Sequence, residues 1–164
     1  MATWSTLFDN GIPNLSIFSL PITLFIAAWP HWYTIYLAES KKVQGGWSNE
    51  NPRAFVARLN AKAATGKKLS GIEELILRGQ SAQQNGFEWF PVWAIAVVLG
   101  NIARLPKETL NNMTLFHLAF RLLYYYLYVA VGNRKSSYLR TAVFNIGLIP
   151  SIRIMFKAAL ALQS

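Results

Sequence analysis

Long apolar runs separated by short polar connections dominate the chain. Four of them approach or exceed the roughly 20 residues that cross a hydrocarbon core. They run from Leu15 to Leu37, from Phe87 to Ala103 behind a polar helical stretch that starts near Gly71, from Thr114 to Val131, and from Tyr138 to Leu162. The pattern predicts a single all-α integral-membrane domain over residues 1–164. Its four transmembrane helices are expected at about 15–39, 71–103, 110–132 and 136–162, packed as a four-helix bundle. A soluble apolar bundle is the alternative, but four such segments in so short a chain are hard to bury without lipid. Composition points the same way. Hydrophobic residues make up 53% and charged residues 14%, against roughly 25% charged in soluble domains.

The N-terminus has no basic region followed by a small-residue cleavage site, so the first segment is expected to stay in place as a signal anchor. The absence of cysteine excludes disulfides, thiolate nucleophiles and cysteine metal sites. Two histidines, His31 and His117, make no metal site. The net charge of +9 is unevenly spread. Lys41, Lys42, Arg53, Arg58, Lys62, Lys67 and Lys68 fall in the first connection, and Arg134, Lys135 and Arg140 near the third. With four spans these connections share one side. The positive-inside rule then predicts cytosolic basic loops and non-cytosolic termini. The expected location is the endoplasmic reticulum in a eukaryote, otherwise the inner membrane. Topology accounts for the charge, so no nucleic-acid partner is expected; the basic face attracts anionic ligands or lipid headgroups. Asn14 and Asn112 begin glycosylation acceptor sequences, but both hug the membrane and neither is expected to be used.

The second apolar run is entered through "RGQSAQQNGFEWFP", Arg78 to Pro91. On a helix, Arg78, Ser81, Asn85 and Glu88 form one stripe, with Gln84 beside it and Gln83 off it. The third run carries His117, Arg121, Tyr124 and Tyr128 at helical spacing. A charge at the depth of Arg121 is expensive alone, which predicts that it faces the interior and pairs with Glu88. Such a pair serves equally as structural glue. The surplus of donors and acceptors beside a basic loop suits a polar ligand that enters from the cytosol.

"NPRAF" (Asn51 to Phe55), "SAQQNGFEWFP" (Ser81 to Pro91), "RLLYYYLY" (Arg121 to Tyr128) and "YLRTAVFNIGL" (Tyr138 to Leu148) together resemble the MAPEG family, the membrane-associated proteins of eicosanoid and glutathione metabolism. The likeness is to its bacterial and fungal branch. The resemblance implies a homotrimer of four-helix subunits, active sites between neighbouring subunits, and glutathione as cosubstrate. It implies that Asn85, Glu88 and Gln83 contact glutathione, with Arg121, Tyr124 and Tyr128 from the third helix and Arg78 one turn from Ser81. Arg140 takes the place of the arginine that stabilises the thiolate, with Arg134 and Lys135 as alternatives for that position. Ser81 stands where many relatives carry an arginine, and Trp89 where a tyrosine is frequent.

The resulting expectation is a glutathione-dependent transferase or peroxidase acting on a lipophilic small molecule that arrives through membrane lipid. An isomerase or cyclase of a hydrophobic intermediate, independent of glutathione or recycling it, is the alternative. A non-catalytic membrane scaffold is the third reading.

Overall fold

The computed structural model describes residues 13–163. Five α-helices occur among them: α1 (Leu15–Ser40), α2 (Pro52–Ala64), α3 (Gly71–Ile102), α4 (Lys107–Ala130) and α5 (Arg134–Gln163). The described residues contain no strand. α1 and the stretch of α5 from Ser137 to Gln163 are long and apolar enough to cross a membrane, with mean hydropathies of 1.3 and 1.5 in their most apolar windows. α3 and α4 fall short of that measure. α3 carries the polar stretch Arg78 to Glu88, and α4 opens with Lys107 and Glu108 before His117 and Arg121.

α1 shows what solvent the fold is built for. Its buried stripe is Ser16, Ser19, Thr23, Ala27, Pro30, Thr34 and Ala38, all small. Its exposed positions include Ile17, Phe18, Ile22, Phe25, Trp29 and Trp32. A helix of a water-soluble protein buries its large apolar side chains. This one buries small residues and turns large apolar ones outward, as membrane helices do when they pack through small contacts. The matching surface on α3 is also small. A Cβ at Gly79 would meet Thr34, and one at Gly86 would meet Tyr125 and Ala27.

α1 packs along α3 and α4 along α5, with further contact of α3 on α5 and of α1 on α4. Neighbouring contacts set the directions. His31 meets Gln80 and Trp93 donates to Ser19, so α1 and α3 are antiparallel. Leu15 meets Asn111, so α1 and α4 run the same way, and the ring of Arg140's neighbour Tyr128 places α5 against α4 head to tail. The end of α1, the start of α3, the end of α4 and the start of α5 therefore share one end of the molecule. Exposed Trp29, Trp32, Tyr36, Tyr126 and Tyr138 gird that end, as amphipathic aromatics do at a membrane–water boundary.

At the opposite end an amide network ties three helices. Asn14 caps α1 by accepting from the Ser16 N–H at 3.0 Å and donates to Asn101 at 2.6 Å. Asn111 accepts from the Leu15 N–H at 2.8 Å and donates to the Pro13 carbonyl at 2.7 Å. Asn101 donates in turn to Ser16 at 3.0 Å.

α2 lies within the basic connection, where the hydropathy pattern indicated no helix. Its start is nevertheless written locally. Asn51 accepts from the Ala54 N–H at 3.1 Å and Pro52 follows at the first helical position, a preferred N-cap and N1 pair. Phe55 and Leu59 pack with Ala38, Trp47 and Ile76. Glu73 clamps the helix down. It is buried, completes a capping box with Ser70 at the start of α3, and accepts from Lys62 at 2.7 Å and from Gln44 at 3.1 Å. The Lys62 ammonium, aided by the Ser70 N–H, holds the Glu73 carboxyl at about 2, well below its ordinary 4.5.

Candidate functional site

The polar stretch of α3 divides between two faces. One presents Arg78, Ala82, Asn85 and Trp89 toward α4 and α5, a spacing of three and four that follows the helical repeat. The other presents Gln80, Ser81, Gln83, Gln84 and Phe87 toward a cleft of about 790 Å³ shared with α1 and α2.

On the first face a smaller cleft of about 290 Å³ opens at the girded end. Asn85 from α3, Tyr124 and Tyr128 from α4, and Ser137, Arg140, Thr141 and Phe144 from α5 line it. Tyr128 is its hub. Its hydroxyl accepts from the Asn85 amide at 3.0 Å, and its carbonyl accepts from Arg78 Nε at 3.2 Å. The Arg140 guanidinium sits over its ring at 4.4 Å, close enough for a cation–π contact. No carboxylate among the described residues forms an ion pair with Arg140. Its charge is thus held at the cleft by an aromatic face, which leaves its in-plane N–H groups available to an anion.

Four of the sequence candidates, Asn85, Tyr124, Tyr128 and Arg140, meet in this cleft, and Arg78 stands directly behind it. Gln83 lines the larger cleft instead. Ser81 turns its hydroxyl back to the Leu77 carbonyl at 3.0 Å. The side chains of Arg134 and Lys135 lie outside the described residues. Ser137 and Phe144 were not singled out from sequence. The signal was present, since Ser137, Arg140, Thr141 and Phe144 repeat at helical spacing on α5.

The expected Glu88–Arg121 pair does not form. Glu88 is exposed and accepts from Gln84 at 2.8 Å. Arg121 is 2% exposed and its guanidinium faces three rings: Trp89 at 5.0 Å, Phe144 at 5.5 Å and Tyr124 at 5.8 Å. The expected depth matches, because α3 meets Arg121 one residue from Glu88. One residue is about 100° of helix rotation, which brings Trp89 inward and swings Glu88 to the outside.

The family model for the MAPEG family matches residues 20–160. The chain belongs to the MAPEG family. Its match runs through every helix that lines the cleft. MAPEG proteins are integral to membranes and typically trimeric, and they include glutathione transferases, peroxidases and isomerases that generally use glutathione. Neither the curated proteins nor the solved structures yielded a match to the chain.

The cleft's donor set suits glutathione. An amide, two phenols, two alcohols and a guanidinium with no carboxylate partner among the described residues surround a space open to solvent, and the basic loops stand at the same end. Such groups recognise carboxylates and amides and favour an anionic sulfur over a neutral one.

Proposed function

We propose that this MAPEG protein is a glutathione-dependent transferase or peroxidase acting on a lipophilic electrophile. The observation that carries the reading is the meeting of Asn85, Tyr128 and Arg140 in one open cleft on the basic end of the bundle. Asn85, Tyr124 and Tyr128 orient the tripeptide, and Arg78 holds the Tyr128 backbone in place. Glutathione supplies the thiol that the cysteine-free chain lacks. Arg140 sits where its charge favours the thiolate; one pKa unit of preference corresponds to about 1.4 kcal/mol. Arg121 supports the cleft through Tyr124 and Phe144. The electrophile reaches the site through the bilayer.

The working assembly in this reading is a homotrimer of four-span subunits. Gln83 and Glu88 lie outside their own protomer's cleft, and a neighbouring copy offers the route by which they join a glutathione site. The basic loops lie in the cytosol and the termini across the membrane, in the endoplasmic reticulum of a eukaryotic cell or the inner membrane of a bacterium. A cytosolic protease acting on sealed vesicles is expected to cut a reporter placed at Ala64; protection there rejects this orientation.

Calorimetry with glutathione in detergent tests the cosubstrate. Binding accompanied by thiolate absorbance, lost in Arg140→Ala, is the expected result. A second reading, an isomerase or cyclase that works without glutathione, draws on Ser81, which hydrogen-bonds its own helix and adds no cation to the site. Absence of both binding and thiolate signal turns the assignment to that reading. Failure to bind any small anionic ligand or to turn over substrate leaves a membrane scaffold.

A further inference from the structure

One row of polar groups takes no part in the cleft. On α4, Thr114, His117 and Arg121 follow one another at intervals of three and four and share a buried face. His117 is fully buried and stacks flat on Trp93, with ring centroids 3.9 Å apart. Among the described residues neither of its ring nitrogens has a hydrogen-bonding partner, and the same holds for the Thr114 hydroxyl, all three guanidinium nitrogens of Arg121, the Trp89 indole nitrogen, and the Ser151 hydroxyl on α5.

The charge of Arg121 is the decisive member. Isolated ions buried away from water cost several kcal/mol unless a counter-charge or hydrogen bonds compensate. The three rings around Arg121 offer their negative faces to the cation, but a face contact leaves the in-plane N–H donors unmet. No carboxylate in the described chain is placed to serve. Glu39, Glu73 and Glu74 pair with Lys42, Lys62 and Arg78, Glu88 is bound by Gln84, and Glu50 and Glu108 are exposed. The Thr114 and Ser151 hydroxyls and the neutral imidazole can each donate and accept, but the groups gathered at Arg121 itself, its guanidinium nitrogens and the Trp89 indole nitrogen, only donate. That excess of donors calls for a negatively charged ligand.

We propose that Arg121 forms the centre of an internal site for a small inorganic anion of the halide class, enclosed by α3, α4 and α5. Tyr124 and Phe144 are both walls of the cleft and two of the three rings on Arg121. A small ion reaches the guanidinium by displacing these rings slightly, whereas a peptide-sized ligand is held in the cleft. The ion neutralises a charge that the bundle otherwise carries bare and so stabilises the packing beneath the cleft.

The test is thermal unfolding of the full chain in detergent, titrated with sodium chloride against sodium gluconate at constant ionic strength. An anion at ten times its Kd raises the folding equilibrium constant about elevenfold. A saturable rise of that size with chloride and bromide, absent with gluconate, is expected. Arg121→Gln should abolish it, and Arg140→Ala should retain it because the site is not at the cleft mouth. Crystals grown in bromide give a second readout that needs no variant: an anomalous peak within hydrogen-bond reach of the Arg121 guanidinium is expected. If Arg121→Gln does not fold, the bromide peak decides. Equal stability in chloride and gluconate, loss of the halide effect in Arg140→Ala, or water alone at Arg121 in the bromide crystals overturns the proposal.

Discussion

Both ends of the bundle carry asparagines and use them in opposite ways. At one end Asn14, Asn101 and Asn111 spend their amides on each other and on nearby backbone, closing the junction of α1, α3 and α4. At the other end Asn85 donates to Tyr128 and lines an open cleft beside an arginine that has no carboxylate partner among the described residues. Polar groups near a membrane surface thus serve two purposes here. Where each meets a protein partner they fasten helices. Where hydrogen-bonding capacity is left facing solvent they are available to a ligand.

The sharpest way to break this contrast is to exchange consequences between the ends. Arg140→Ala is expected to lower kcat/KM for glutathione conjugation at least 100-fold, about 2.7 kcal/mol in transition-state stabilisation, with little change in Tm. Arg140→Lys should fall between, because lysine keeps the charge and loses the planar fork. Asn111→Ala is expected to do the reverse. It removes two hydrogen bonds and leaves the Leu15 N–H and Pro13 carbonyl without them, a loss of about 2–3 kcal/mol in unfolding free energy, while kcat/KM per folded molecule stays unchanged. A loss of catalysis in Asn111→Ala without loss of stability would refute the division of labour.

Between the ends, Gly86→Ala probes whether tight helix contact holds the cleft in register. A methyl there meets Tyr125 and Ala27, and overpacking of this kind costs about 1–3 kcal/mol. Thermal unfolding should show that loss, and Gly71→Ala, where a Cβ meets open space, should not. The smallest effect concerns the α2 clamp. The Glu73 carboxyl titrates at about 2 in the folded protein rather than at its ordinary 4.5. Its contribution is therefore fully present above about pH 4.5 and is lost as pH falls toward 2. Protease cleavage within α2 is expected to rise across that window in the wild type, and in Lys62→Met the rise should begin at higher pH.

The helical membrane fold was legible because α1 and α5 announce themselves through long apolar runs, and the cleft because Asn85, Tyr124, Tyr128 and Arg140 sit in motifs with family likeness. What escaped was governed by rotation rather than by composition. A stripe through Arg78, Ser81, Asn85 and Glu88 is compatible with helical spacing, yet the face that meets α4 passes through Ala82 and Trp89. The close fit of Gly79 and Gly86 against α1 and α4 fixes that rotation, and a single helix's periodicity does not contain it. The pairing of Glu88 with Arg121 rested on charge complementarity, but aromatic faces already surround the cation and the nearest carboxylate points away. α2 escaped for another reason: a short helix with three basic residues gives no hydropathy signal, although Asn51 and Pro52 mark its start.

The aromatic girdle and the opposing asparagines also define a ruler. From Asn14 to Trp32 the chain advances eighteen helical residues, roughly 27 Å at about 1.5 Å each. The girdle extends on α1 from Trp29 to Tyr36, so the reach from Asn14 to its members runs from roughly 22 Å to roughly 33 Å, on either side of the roughly 30 Å of an ordinary hydrocarbon core. Interfacial rings spread over two helical turns give the protein a graded edge, so bilayers that differ by several Å in thickness each find an aromatic anchor at their boundary, with residual mismatch costing a fraction of a kcal/mol per Å.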